Sequence, residues 1–190
     1  MEFTGERQVG KNLSEIEKLH LDRYGYAFNE ILWRFGHNQT NVADIGCGIG
    51  YGSYILSNLN CNIDAYDISK EAIEFAKQHY QKQNINYYIQ DCLDIDFLKN
   101  KCYDVIISFE FLEHVYYYQA LDLLIEMINK SKLLVTSIPI NNKSPFHKFI
   151  LNKEQIENFY YTAINKTTKN ILNKFIQDDK YYIFIIGDIS

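Results

Sequence analysis

The sequence predicts an α/β domain built on a doubly wound, mostly parallel sheet, and three observations carry that expectation. Five short β-rich runs alternate with helical ones. Those runs are almost continuously apolar, as strands covered on both faces are. A glycine-rich loop, DIGCGIGYGS at 44–53, follows the first run directly. In open α/β sheets, ligands sit beyond the carboxyl ends of the strands.

The elements can be justified in chain order. From Ser14 to Phe35 the apolar positions Ile16, Leu19, Tyr24, Ala27, Phe28, Ile31, Leu32 and Phe35 recur at three- and four-residue steps. That spacing predicts a helix, with Gly36 as its stop. Strands are expected at 41–46, 62–67, 86–91, 104–109 and 133–138. The intervening stretches SYILSNL, SKEAIEFAKQHY and YYYQALDLLIEMINK have helical spacing, and Ser69 is placed to cap the second. The last 40 residues change character: a helix around Asn152–Phe159 precedes two expected strands, near Tyr160–Lys166 and Tyr181–Gly187.

Bulk properties narrow the function classes. A chain of 190 residues with 47% hydrophobic and 23% charged residues suits one soluble domain. The net charge of −5 argues against a nucleic-acid surface. No apolar run approaches the roughly 20 residues that cross a bilayer, and the charged start MEFTGERQ does not read as a signal peptide. Cys47, Cys61, Cys92 and Cys102 form no CxxC pair, so a reduced, cytoplasmic setting is expected, without zinc or disulfides.

The glycine loop does not have dinucleotide spacing. G-x-G-x-x-G would need a glycine at 51 or 53, where Tyr51 and Ser53 stand. The chain has G-x-G-x-G instead, at Gly46, Gly48 and Gly50, with Asp44 just before it. A pyrophosphate calls for backbone N–H groups at a helix start. An amino-acid ligand adds an ammonium, for which a neighbouring carboxylate is useful, while the loop's N–H groups face its carboxylate. Asp67 ends the second strand, where an acid can accept both hydroxyls of a ribose. Asp91, before Cys92, ends the third, where it can accept the amino group of an adenine. Asp94 and Asp96 follow and read as solvated turn residues, so no metal is expected.

This series resembles the class I S-adenosylmethionine-dependent methyltransferases. FTGERQVG, EKLHLDRYGYA, VADIGCGIGYGSYIL, DAYDISKEAIEFAKQHY, YDVIISFEFLEHV, LLVTSIP and SPFHKFILNKEQIENF follow the order of a bacterial subgroup linked to glycans and nucleotide sugars, across roughly residues 3–160. The resemblance implies a Rossmann-like sheet of seven strands ending in an antiparallel hairpin. It also implies a single domain over 1–190 with a helical lid segment over about 1–37. S-adenosylmethionine is the implied cofactor, held by Tyr24, Asp44, Gly46, Gly48, Gly50, Asp67, Ile68, Asp91, Cys92, Ser108 and Glu110.

The implied reaction is O-methylation of a sugar or nucleotide sugar by in-line transfer, in a homodimer without nucleic-acid or membrane partners. A sugar hydroxyl has a high pKa, so a general base is useful, and histidine is the commonest. The resemblance points to His114 as that base. His147, in Ser-Pro-Phe-His after the fifth strand, is the second candidate because its loop should reach the carboxyl-end rim. Alternatives are an amine, quinone-precursor or lipid-precursor acceptor, or a non-catalytic cofactor-binding subunit. An Asn/Asp-Pro-Pro-aromatic motif of nucleic-acid amine methylation is absent: Ser108-Phe109-Glu110-Phe111 stands there.

Overall fold

The computed structural model describes residues 8–167, 169, 171–177 and 180–188. Of the N-terminal matching stretch, Phe3–Arg7 lie outside the described residues. Seven strands form a mixed α/β sheet, and the chain divides into two compact units, Met1–Cys92 and Leu93–Ser190.

In the first unit, helix α1 (Lys18–Phe35) precedes β1 (Thr40–Ile45), α2 (Tyr51–Leu56), β2 (Cys61–Asp67), α3 (Lys70–His79) and β3 (Ile85–Ile89). β2 pairs in parallel with both β1 and β3, with Val42 opposite Ile63 and Ile63 opposite Ile85. The expected helix from Ser14 is interrupted: Leu13–Glu15 form a separate 3-10 turn, and Ile16 is extended. Gly36 does end α1, at φ 60°, a conformation that favours glycine. Ser69 caps α3 as expected, its hydroxyl accepting from the Ala72 N–H. β1 is buried at every position but Asn41, whereas β3 alternates and exposes Tyr88 and Ile89.

In the second unit, β4 (Tyr103–Phe109) and β5 (Ser131–Pro139) are parallel and flank α4 (Tyr117–Lys130) in sequence. Helix α5 (Lys153–Ile164) leads to β6 (Ile171–Gln177) and β7 (Tyr181–Asp188). β7 runs antiparallel to both β5 and β6, giving the expected C-terminal hairpin. The strand expected near Tyr160–Lys166 is instead the end of α5. Ile156, Phe159, Tyr160 and Ala163 are all buried at helical spacing, and Tyr160 stacks on Phe184 of β7 with centroids 3.9 Å apart. Burial of that stripe outweighs the β propensity of the aromatic run. The first hairpin strand accordingly lies later, at Ile171–Gln177.

Candidate functional site

In the first unit, the expected residues gather where β1 and β2 end. Gly46, Gly48 and Gly50 all have positive φ, at 77°, 57° and 85°, which the loop's tight path requires. The N–H groups of Gly46 and Cys47 both donate to the Tyr66 carbonyl at 2.9 Å, and that of Gly50 donates to the Cys47 carbonyl at 3.1 Å. The Gly48 N–H donates to Asp67 Oδ2 at 2.9 Å. The N–H groups expected to face a ligand carboxylate are therefore, at these four positions, engaged within the protein. A Cβ on Gly50 would meet the Tyr87 hydroxyl at 2.6 Å and Ala76 Cβ at 2.8 Å.

Asp44 is fully buried. Its Oδ2 accepts from Ser53 Oγ at 2.6 Å, and the Tyr24 hydroxyl donates to both carboxylate oxygens at 3.1 and 3.3 Å. Burial pushes this carboxyl up to about 6, and the Asp67 charge adds to that, while the Ser53 and Tyr24 bonds pull the other way. Burial, reinforced by the Asp44 charge, raises the Tyr24 phenol well above its ordinary range, so it stays a donor. Ser53 and Gly52 were not among the expected residues. Gly52 is needed because a Cβ there would lie 1.9 Å from the Tyr24 ring. Both lie in the glycine-rich loop at 44–53, but their role becomes legible only once Tyr24 is folded over α2.

Asp67 is 6% exposed. Its Oδ1 accepts from the Ser69 N–H at 2.8 Å and its Oδ2 from Gly48. The next side chain, Ile68, is 64% exposed. Asp91 is exposed two residues beyond the end of β3. Cys92 is buried, and burial, with the nearby Asp67 charge, pushes its thiol up to about 12, which leaves it a protonated packing residue. The Arg23 guanidinium donates to His20 Nδ1 at 2.6 Å; burial and then the Arg23 charge push the imidazole down to about 4. It is therefore neutral at pH 7, which makes it the acceptor of that bond.

In the second unit, Ser108 is buried at the end of β4, and its hydroxyl has no hydrogen-bond partner among the described residues. Glu110 adopts φ 49°, a conformation uncommon for a side-chain-bearing residue. Ser137 holds it there: the Glu110 N–H donates to Ser137 Oγ at 3.2 Å, and that hydroxyl donates to Glu110 Oε1 at 2.7 Å. Backbone strain of this kind persists where surrounding bonds over-determine it.

A 3-10 turn at Leu112–His114 follows. It turns Glu113 into the interior at 1% exposure and leaves His114 half-buried. The structure brings His114 and His147 together, their rings edge to face with centroids 5.0 Å apart. The His147 loop is fastened at its base, where the Asn141 N–H donates to the Leu151 carbonyl at 2.9 Å. It is fastened again where the Lys148 N–H donates to the Glu113 carbonyl at 2.7 Å. His147 Nδ1 lies 3.1 Å from the Asn142 carbonyl. Of the tyrosine run, Tyr117 packs between Phe149 and Phe159, while Tyr116 and Tyr118 are 66% and 79% exposed.

Fold and loop together define a Rossmann-like α/β class of protein. The methyltransferase-domain family matches residues 36–185, and the chain belongs to that family. The chain is 35% identical over 80 residues to a ubiquinone biosynthesis O-methyltransferase of Glaesserella parasuis, a match covering 39% of this chain and 34% of that protein. It thus spans about a third of this relative's length. Among solved structures, it is similar to the small RNA methyltransferase HEN1, with a TM-score of 0.76 at 17% identity, over 97% of this chain and 27% of that one. Magnesium protoporphyrin IX methyltransferase from Synechocystis with bound S-adenosylmethionine gives a TM-score of 0.69 at 16% identity, over 88% and 78% of the two chains. At such identities these structures establish the shared fold.

Proposed function

We propose that this protein is an S-adenosylmethionine-dependent methyltransferase that acts on a hydroxyl group of a small molecule. The observation that carries this reading is Asp67, a buried carboxylate fixed at the end of β2 by the Gly48 and Ser69 N–H groups, beside the exposed Ile68. A carboxylate has about four acceptor sites, so two backbone donors orient it for a ribose diol, and Ile68 offers an apolar surface to an adenine. Asp91 and the Cys92 backbone complete the adenine's surroundings in this proposal. Asp44 favours a ligand ammonium through the field of its buried charge, with Ser53 and Tyr24 holding it in place behind Gly46, Gly48 and Gly50. When bound, the cofactor supplies a methyl group on a sulfonium, already activated for displacement.

The acceptor expected from sequence, a sugar or nucleotide sugar, gains no support from the G. parasuis relative. The G. parasuis protein is named for ubiquinone biosynthesis, and Tyr116 and Phe146, exposed near His114 and His147 in sequence, suit a ring-bearing acceptor. A phenolic hydroxyl is therefore our first acceptor, with a nucleotide sugar second. His114 and His147 serve that hydroxyl, and in the absence of any cation His114 would take its proton. Among the described residues no helix is long and apolar enough to cross a membrane; a cytoplasmic, homodimeric enzyme completes the proposal.

Calorimetry tests the donor half. S-adenosylmethionine and its demethylated product should bind, and NAD should not; tighter binding of NAD would overturn the reading. A labelled methyl donor offered with phenols and with nucleotide sugars then decides the acceptor, and incorporation into the sugars alone would displace the phenolic choice.

A further inference from the structure

We propose that Glu113, His114 and His147 form a divalent-cation site, which replaces the metal-free base expected from the sequence. Each offers one ligand atom, and the three atoms lie within 4.8 Å of one another. Ligand atoms about 2.0–2.1 Å from a tetrahedral ion are roughly 3.3 Å apart, so modest side-chain rotations close the trio. Three features fit a cation better than chance proximity. Glu113 is buried at 1% exposure, so its carboxylate beside the two imidazoles is shielded from water. The two half-buried imidazoles come from segments tied together by the Lys148-to-Glu113 backbone bond, so their approach is imposed by the fold.

The tautomer of His147 is the third feature. The Asn142 carbonyl, 3.1 Å from Nδ1, can only accept. Nδ1 therefore carries the proton, and Nε2 presents its lone pair, the arrangement that a carbonyl behind a metal-bound histidine enforces. Two imidazoles and one carboxylate favour zinc, cobalt, iron(II) or manganese over magnesium or calcium, which take mostly oxygen ligands. Three protein ligands leave positions for water and for an acceptor oxygen.

The site's chemical role rests on the O-methyltransferase reading; its existence does not. Bound to the cation, the acceptor hydroxyl becomes more acidic, and its proton leaves to solvent while the oxygen keeps its electron pair. His114 and His147 then act as ligands, with no proton to accept.

The full-length chain, stripped with chelator, should take up one equivalent of Co2+ with visible absorption bands, and Zn2+ should displace it. Loss of a group behind a metal ligand already costs about 10- to 100-fold in affinity. His147→Ala and Glu113→Gln should each weaken Co2+ binding at least that much. His147→Ala, on a half-buried loop residue, should keep the native circular dichroism and the native affinity for S-adenosylmethionine. Lack of Co2+ uptake by the folded chain, or wild-type Co2+ affinity in both variants, overturns the site. So does a loss of uptake in Cys102→Ser, which would place the ion on that exposed thiol. Co2+ uptake that depends on the trio in a chain that fails to bind S-adenosylmethionine would leave the site standing and remove the methyltransferase reading.

Discussion

At the scale of single residues, the first unit is organised by two carboxylates with opposite surroundings. Asp67 is oriented by backbone N–H groups, and losing such charge-assisted bonds to a ligand costs about 2–3 kcal/mol. Asp67→Ala should weaken S-adenosylmethionine binding by that amount in calorimetry, and an unchanged affinity would remove Asp67 from the site. Asp44 has its folded pKa raised from 3.8 to about 6. The folded state therefore binds the proton more tightly than the unfolded chain does. Its contribution to stability is fully present below about pH 4 and is lost as pH rises through 6, a difference of about 3 kcal/mol. Asp44→Asn has no such titration. The melting temperature of the wild type relative to this variant should rise as pH falls from about 7 to about 4; a constant difference would contradict the burial argument. Comparison with the variant isolates Asp44 from His20, whose lowered pKa of about 4 acts oppositely over the same range. Gly52→Ala places a methyl inside the Tyr24 ring. Overpacking of this kind costs about 1–3 kcal/mol, visible in denaturant unfolding, and a neutral result would mean that Tyr24 is free to leave Asp44.

At the scale of elements, caps and stripes show where sequence patterns suffice. Ser69 was readable as a cap because a serine stood just before an amphipathic run, and it caps α3. Ser69→Ala should cost about 1 kcal/mol in thermal unfolding; because the Ser69 N–H remains, its bond to Asp67 should survive and cofactor affinity should change little. The C-terminal boundary was not readable in the same way. Tyr160 and Tyr161 look like the start of a strand in isolation, and only the stack of Tyr160 on Phe184 shows that they extend α5. Local propensity there is weaker than the burial of one aromatic face. The Leu13–Glu15 turn makes the same point: apolar spacing continued through Ile16, but the backbone there is extended.

At the scale of the whole molecule, ligand binding should be visible as stability. S-adenosylmethionine at a hundred times its Kd should add about 2.7 kcal/mol. For a chain of 190 residues that is a rise of roughly 5–10 °C in melting temperature, and NAD should give none. Equal shifts from both would argue for a general nucleotide site. The sequence by itself determined the strand–helix alternation, the G-x-G-x-G loop and the acids at the strand ends, because these depend on periodicity and on local backbone requirements. Only the tertiary structure decided that Gly52 makes room for Tyr24, that Asp44 is locked by Tyr24 and Ser53, and that Ser137 holds the strained Glu110. It also decided that His147, 33 residues after His114, lies against it beside the buried Glu113. Those relations depend on distance through space between segments far apart in the chain, and neither periodicity nor spacing encodes that distance.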